Sequence, residues 1–129
     1  MKTILLTLCT LASFAFADAD QVKLSNGKTA LSAAAIWQVF NVNPLSVESA
    51  IGKCKYVFGN VEKIARDIGG KPYLLLMVRG EIGSVKCMFG DADVAALRAI
   101  NIGQRVFVEG TLQGMTLSIV TFTECQFTK

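Results

Sequence analysis

Side chains that could carry out catalysis are sparse in this sequence. It contains no histidine, which excludes Ser-His and Cys-His nucleophilic pairs and removes the commonest metal ligand. Asp91 and Asp93 resemble a catalytic or metal-binding carboxylate pair, but acidic residues in the first turn of a predicted helix are explained by the unpaired N–H groups and the helix dipole there. The glutamates are dispersed, and no glycine-rich phosphate loop leads from a strand into a helix. We therefore expect no enzyme activity, no catalytic residue, no metal site and no cofactor.

Aromatic and basic side chains are better candidates for function, because they could bind a ligand without transforming it. Nucleic-acid bases stack on aromatic rings, and cations attract anionic ligands. Trp37 has two interpretations, as a ligand-stacking residue or as part of a structural helix. The candidate ligand-binding residues on the predicted strands are Tyr56, Phe58, Tyr73, Lys86, Met88 and Arg105.

The first 17 residues have the composition of a secretory signal. Lys2 is followed by an apolar run over residues 4–12, and Ala15-Phe16-Ala17 fits a cleavage site. Because the run is too short to span a bilayer as a helix, we expect cleavage after Ala17, a periplasmic or secreted protein, and no membrane span in the mature chain. A lipoprotein is the alternative, but Leu8 precedes Cys9 where a lipobox needs a small residue.

The rest of the chain has the length of one domain. Residues 18–28 are polar and aperiodic, which predicts a mobile lead-in, and residues 29–129 are predicted to form the domain. The formal net charge is +3, and the basic residues are scattered along the sequence, whereas nucleic-acid-binding domains usually concentrate them in a patch. Charge therefore gives a nucleic-acid partner only weak support.

A helix is predicted after the lead-in, capped by Thr29 or Ser32. Its apolar residues recur at helical spacing and include Trp37 and Phe40, so we expect this face to be buried against the rest of the domain. Asn43-Pro44 ends the helix, because a residue before proline disfavours helical geometry. Residues 46–51 are predicted to form a second helical turn.

From residue 53 the apolar period changes to two, which indicates strands. Gly59 lies where a barrel strand would coil sharply. A short helix is predicted over Asp91–Ile100, with Asp91 as its N-cap and Gly103 just beyond its end. Gln113-Gly114 is the predicted final hairpin turn. The five predicted strands cover residues 53–64, 73–78, 84–89, 104–111 and 117–127.

This order of elements predicts an all-β fold with accessory helices. The specific prediction is a five-stranded OB-fold Greek-key barrel with an N-terminal amphipathic helix and a helix between strands three and four. In that topology the first strand pairs with the fourth, and the third lies beside the fifth.

Several segments together resemble a known family. They are the amphipathic helix that ends at Asn43, Tyr56-Val57-Phe58-Gly59-Asn60-Val61, Val85-Lys86-Cys87-Met88-Phe89, residues 97–110 and Glu124-Cys125-Gln126-Phe127. In this order and spacing they are similar to the tRNA_anti-like group of OB-fold domains, over about residues 29–129. The resemblance implies the OB fold, and the family's name records a similarity to anticodon-binding OB domains.

The cysteines are expected to include one disulfide. With Cys9 inside the predicted signal, three cysteines remain, an odd number for an oxidising compartment. Cys87 and Cys125 would lie on adjacent strands, so we predict that they are bonded and that Cys54 is a free thiol. The alternatives are a Cys54–Cys125 bond, a Cys54–Cys87 bond and three reduced cysteines.

Three functions are compatible with the sequence. The first is a non-catalytic exported binding module of the bacterial cell envelope, which binds an oligosaccharide or another ligand on the outer face of the first three strands. The second is a protein-interaction role with an envelope protein, such as an inhibitor or immunity factor against a secreted enzyme. The third is single-stranded nucleic-acid binding, with stacking on Tyr56 and Phe58. Charge for the third would come from Lys55, Arg79, Lys86 and Arg105.

Overall fold

The structure, a computed structural model, describes residues 18–78, 80 and 83–128. The predicted signal (residues 1–17) and the candidate cation Arg79 lie outside the described residues. Strands are β1 (Gln21–Lys23), β2 (Thr29–Ser32), β3 (Cys54–Arg66), β4 (Pro72–Met77), β5 (Ser84–Met88), β6 (Arg105–Thr116) and β7 (Ile119–Phe127). Helices are α1 (Ala33–Val42) and α2 (Val94–Arg98), with 3₁₀ turns at Asp18–Asp20, Pro44–Ala50 and Asp91–Asp93.

Strand β3 closes the barrel by pairing along its two edges. Its first half pairs antiparallel with β6, from Cys54 opposite Thr111 to Asn60 opposite Arg105. Its second half pairs with β4, and an irregularity lies between Val61 and Lys63. Strand β5 lies parallel to β7. The five-stranded barrel, with the first strand beside the fourth and the third beside the fifth, is therefore confirmed.

Helix α1 packs on the barrel as predicted. Ser32 is its N-cap, and the Ser32 side chain accepts a hydrogen bond from the Ala35 backbone N–H at 3.0 Å. Trp37 and Phe40 are buried within the main core. The Trp37 indole Nε1–H donates to the Ser118 carbonyl at 2.8 Å. These contacts confirm the structural interpretation of the helix face.

The connection between β5 and β6 is helical but shorter than predicted. The 3₁₀ turn Asp91–Asp93 leads into the five residues of α2. Asp91 is not the N-cap: its carboxylate is an exposed partner of Arg66 at 3.2 Å. The Asp93 carboxylate instead accepts the Gly90 backbone N–H at 3.3 Å. Asp91 and Asp93 thus have separate structural partners.

Residues 18–28, for which a mobile lead-in is predicted, include the 3₁₀ turn Asp18–Asp20 and strand β1. Strand β1 pairs antiparallel with β2, and β2 pairs parallel with β3. Gly27 makes the turn with a φ of 85°, and the Asn26 side chain accepts the Lys28 backbone N–H at 2.9 Å. Val22 and Leu24 do alternate, but the run is too short for its period to be recognised. The hairpin adds two strands to the barrel sheet.

The last hairpin turn lies four residues later than predicted. Strand β6 runs through Gln113-Gly114 to Thr116, with an irregularity between Leu112 and Gly114. The turn is Leu117-Ser118, with φ values of 52° and 66°. These are type I′ values, a turn that usually takes asparagine and glycine. The prediction was wrong because the glycine lies at the strand irregularity and the turn has no glycine.

Candidate ligand-binding face

The outer surface of the barrel divides into two parts. We call Tyr73, Leu75, Met77, Lys86 and Met88 the open face. These residues alternate with the core residues of β4 and β5, and their side chains are half-buried except for Met77, which is exposed. A separate cluster on β3 and β6 contains Tyr56 and Phe58, which are only 8% and 5% exposed. The structure therefore does not bring the six candidate residues into one accessible surface.

The open face is positioned by the pairing of β4 with β5. Tyr73 lies opposite Met88, and Leu75 lies opposite Lys86. The Lys86 Nζ is 4.6 Å from the centre of the Tyr73 ring, within the range of a cation–π interaction. Lys63 lies opposite Leu75 on the other side of β4. The open face thus combines an aromatic ring, an apolar strip and one cation, and Lys63 places a second cation beside it.

Tyr56 and Phe58 belong to a small second core formed with the N-terminal hairpin. They pack with Leu24 and Ala30, so the hairpin buries them and α1 does not. Burial raises the pKa of Tyr56, and the Glu109 carboxylate raises it further, while a hydrogen bond with the Asn26 side chain acts in the opposite direction. These two rings are not available for stacking in this structure.

Arg105 contacts this second core at its edge. Its guanidinium carbon lies 4.5 Å from the Phe58 ring centre and 5.3 Å from that of Phe107. The two rings are themselves 5.3 Å apart with an interplanar angle of 31°. The exposed Arg105 therefore extends the second core by cation–π contacts and is grouped with Phe58, whereas Lys86 is grouped with Tyr73.

Sequence reasoning missed two residues of the open face, Leu75 and Met77, and the neighbouring Lys63. Leu75 and Met77 follow Tyr73 at a spacing of two, so alternation within β4 could have identified them. Lys63 could not be placed in this way, because the irregularity after Val61 changes which face of β3 its side chain occupies.

Lys55 is not available as a surface cation. Its side chain is 2% exposed, and its Nζ has no hydrogen-bond partner among the described residues. Burial, with a smaller contribution from the charge of Lys53, lowers the pKa of Lys55 to about 8. Lys55 is therefore a destabilising group that the folded protein retains.

The predicted disulfide is not formed in this structure. Cys87 and Cys125 are buried free cysteines. The parallel pairing of β5 with β7 places Cys87 opposite Phe122, so Cys125 is not its direct cross-strand neighbour. A hydrogen bond with the Cys125 thiol, followed by burial, raises the pKa of Cys87 well above its usual value. Cys54 is not one of the free cysteines, contrary to the prediction of a free thiol at this position.

Two further observations concern metal binding and membrane-spanning helices. Among the described residues, no cluster of three or more histidine, cysteine, aspartate or glutamate side chains could hold a metal ion. No helix in the described part of the chain has the length and apolar character needed to cross a membrane.

The five-stranded barrel and its helix between the third and fourth barrel strands define an OB fold. The tRNA_anti-like family model matches residues 1–127, and the chain belongs to this family. No curated protein sequence matches it.

The fold is shared with a solved structure, and two further solved structures match at lower TM-scores. A Klebsiella pneumoniae protein described as a "putative nucleic acid-binding lipoprotein" matches with a TM-score of 0.61 and 20% identity, over 78% of this chain and 92% of that chain. An OBody bound to hen egg-white lysozyme matches with a TM-score of 0.45 and 15% identity, over 60% and 82% of the two chains. The Stn1-Ten1 complex of Schizosaccharomyces pombe gives 0.43 and 15%, over 59% and 58%.

Proposed function

We propose that the protein is a non-catalytic, exported binding module of the cell envelope whose ligand lies on the open face. The observation that carries this proposal is the Lys86 ammonium group placed over the Tyr73 ring, on a surface whose side chains stay half-buried or exposed in the described part of the chain. The rings on β3 are occupied by contacts with the hairpin. The open face is therefore the part of the predicted binding surface that remains accessible.

The composition of the open face supports a ligand with flat or apolar rings. Tyr73 offers one ring face, and Leu75, Met77 and Met88 extend an apolar surface beside it. A sugar or a base can stack on such a surface, and OB folds bind both oligosaccharides and oligonucleotides on these strands. Lys86 can add a hydrogen bond or neutralise an anionic group of the ligand.

Single-stranded nucleic acid is a second candidate ligand. Lys63 and Lys86 lie on either side of Leu75 across three adjacent strands, so two cations accompany the Tyr73 ring. Cations beside a stacking residue are the arrangement used by single-strand-binding surfaces. The Klebsiella pneumoniae protein of the same fold is described as nucleic acid-binding, which is consistent with this candidate.

Binding measurements with two probes test the proposal. We expect either a twelve-nucleotide oligo(dT) or a β-1,4-linked N-acetylglucosamine hexamer to bind, as measured by isothermal calorimetry. Tyr73→Ala should weaken that binding by about 1–3 kcal/mol, the usual contribution of a stacked base or ring. A steep loss of affinity as salt rises would identify the nucleic acid.

Lys23→Ala is the matched control for Lys86→Ala, because Lys23 is an exposed lysine on the edge strand β1. Only the Lys86 substitution should weaken binding. Failure of both probes to bind, or equal binding by wild type and Tyr73→Ala, would contradict the assignment of the open face.

Export is a separate part of the proposal and is supported by the composition of residues 1–17. We expect the protein to be recovered from the cell envelope or the medium with Asp18 as its first residue. Intact-mass measurement of the purified protein checks this. A cytoplasmic chain that retains Met1, or a lipid-modified cysteine, would contradict cleavage after Ala17.

A further inference from the structure

A groove lies on the barrel away from the open face. It has a volume of about 590 Å³ and runs between the 3₁₀ turn Pro44–Ala50 and the last residues of β6. Phe40 and Ile51 line one wall, and Gln113 to Thr116 line the other. The proposed function does not use this groove, so its occupant must be inferred from its own chemistry.

The β6 side of the groove is an unpaired strand edge. Pairing between β3 and β6 ends at Thr111. Leu112 is still bonded on that side, since its N–H donates to the Lys53 carbonyl at 2.9 Å and its carbonyl accepts the Gly52 N–H at 2.7 Å. Beyond it, residues 113–116 have no backbone partner on this side among the described residues. The groove therefore contains a free strand edge.

The hairpin geometry identifies which backbone groups point into the groove. In a two-residue type I′ hairpin the residues flanking the turn, here Thr116 and Ile119, exchange hydrogen bonds. The next pair, Met115 and Val120, is then not hydrogen-bonded across the hairpin. The N–H and C=O of Met115 point away from β7, and Met115 lines the groove.

The side chains around the groove are a mixture of apolar and uncharged polar groups with one negative charge. Ile51 is 43% exposed, and Leu45 and Leu117, on the segments that flank the groove, are still more exposed. Among the described residues that line it, Glu48 is the only ionisable one. A ligand here would pair with a backbone edge, cover apolar side chains and carry positive charge.

We propose that this groove binds an extended, basic segment of a partner protein, which adds to β6 as an extra strand beside residues 113–116. Strand addition satisfies backbone donors and acceptors at a free edge, while alternate side chains of the added segment fill the groove. A lysine or arginine of the segment pairs with Glu48. A second copy of this chain using the same groove would bring the two Glu48 carboxylates to one symmetric interface, which charge repulsion opposes.

The test uses ¹⁵N-labelled protein and a defined probe, an eight-residue peptide of alternating valine and lysine with blocked termini. We expect saturable shifts of the Gly114, Met115 and Thr116 amide signals. A matched peptide with two adjacent central prolines, which lacks N–H donors on both of its edges, should bind at least about tenfold more weakly.

Variants of the protein separate this groove from other surfaces. Glu48→Lys and Ile51→Asp should each weaken peptide binding by at least about tenfold. Ile68→Asp is the control, because Ile68 is fully exposed in the turn between β3 and β4 and does not line the groove. Unchanged amide dispersion confirms that each variant is folded. Tyr73→Ala should leave peptide binding unchanged, so failure of the open-face proposal would not affect this result.

Three outcomes overturn the inference. One is the absence of shifts in residues 113–116 at peptide concentrations up to about 1 mM, the range of weak peptide complexes. Another is equal binding of the proline-containing peptide. The last is a concentration-dependent shift of the same signals without peptide, which would assign the groove to a second copy of the chain.

Discussion

Trp37→Ala is expected to lower the free energy of unfolding by about 3–5 kcal/mol, as large aromatic truncations in cores do. Trp37 is 4% exposed, and its ring packs where α1 meets the barrel. The substitution also leaves the Ser118 carbonyl without the indole donor at 2.8 Å. Chemical denaturation monitored by far-ultraviolet circular dichroism measures the loss, since the variant lacks the only tryptophan.

Two further variants show whether the loss comes from this packing. Val42 is an exposed residue of the same helix, and Val42→Ala should change stability by less than about 0.5 kcal/mol. A Cβ added at Gly83 would overlap the Trp37 indole and come within 2.6 Å of the Ser118 carbonyl oxygen. Gly83→Ala should therefore be strongly destabilising in the wild type and less so in Trp37→Ala. A Trp37→Ala protein that kept its stability but lost a ligand would instead place Trp37 in a binding site.

The barrel could be predicted from sequence because its main signals are long and repeated. The helical spacing of Trp37 and Phe40 and the alternation through Val85, Cys87 and Phe89 each extend over several residues, and the structure confirms both patterns. Gly59 is predicted from the sequence to lie where a barrel strand coils sharply. The structure adds a packing reason: a Cβ there would lie 3.3 Å from the Cβ atoms of both Ala33 and Leu76.

The errors arose where short-range signals compete with tertiary structure. The hairpin around Gly27 has strands of three and four residues, too few to show a period, and it acquires stability by packing Leu24 on Tyr56 and Phe58. That same packing removes two residues from the predicted binding surface. The unpaired edge of β6 could not be predicted either. It depends on where β3 stops pairing with β6, and no local sequence feature indicates that position.

Lys55→Met is expected to stabilise the protein at pH 7 by up to about 3.5 kcal/mol, because lowering a pKa from 10.5 to about 8 costs about 1.4 kcal/mol for each pH unit. The buried Lys55 ammonium group has no hydrogen-bond partner among the described residues, and its pKa is lowered from 10.5 to about 8. Methionine has a similar length and carries no charge to desolvate. The free energy of unfolding from urea denaturation gives the comparison.

The pH dependence of this gain follows from the direction of the pKa shift. Below pH 8 the amine is protonated in both the folded and unfolded states, so the full burial cost remains. Between pH 8 and 10.5 the folded amine becomes neutral while the unfolded one stays charged, so wild-type stability rises relative to Lys55→Met and the difference between them narrows. The raised pKa values of Tyr56 and Cys87 lower the stability of both proteins over the upper part of this range. These contributions are the same in the two proteins, so they cancel in the stability difference.

Lys23→Met is the control for this series, because Lys23 is exposed and its replacement should change stability by less than about 0.5 kcal/mol at every pH. A Lys55→Met variant that is less stable than wild type at pH 7 would show that the ammonium group makes a favourable interaction. A stability difference that stays constant from pH 7 to 10.5 would show that the Lys55 pKa is not lowered. The predicted result, a gain at neutral pH that disappears in alkali, requires a lysine that is buried and still charged at neutral pH.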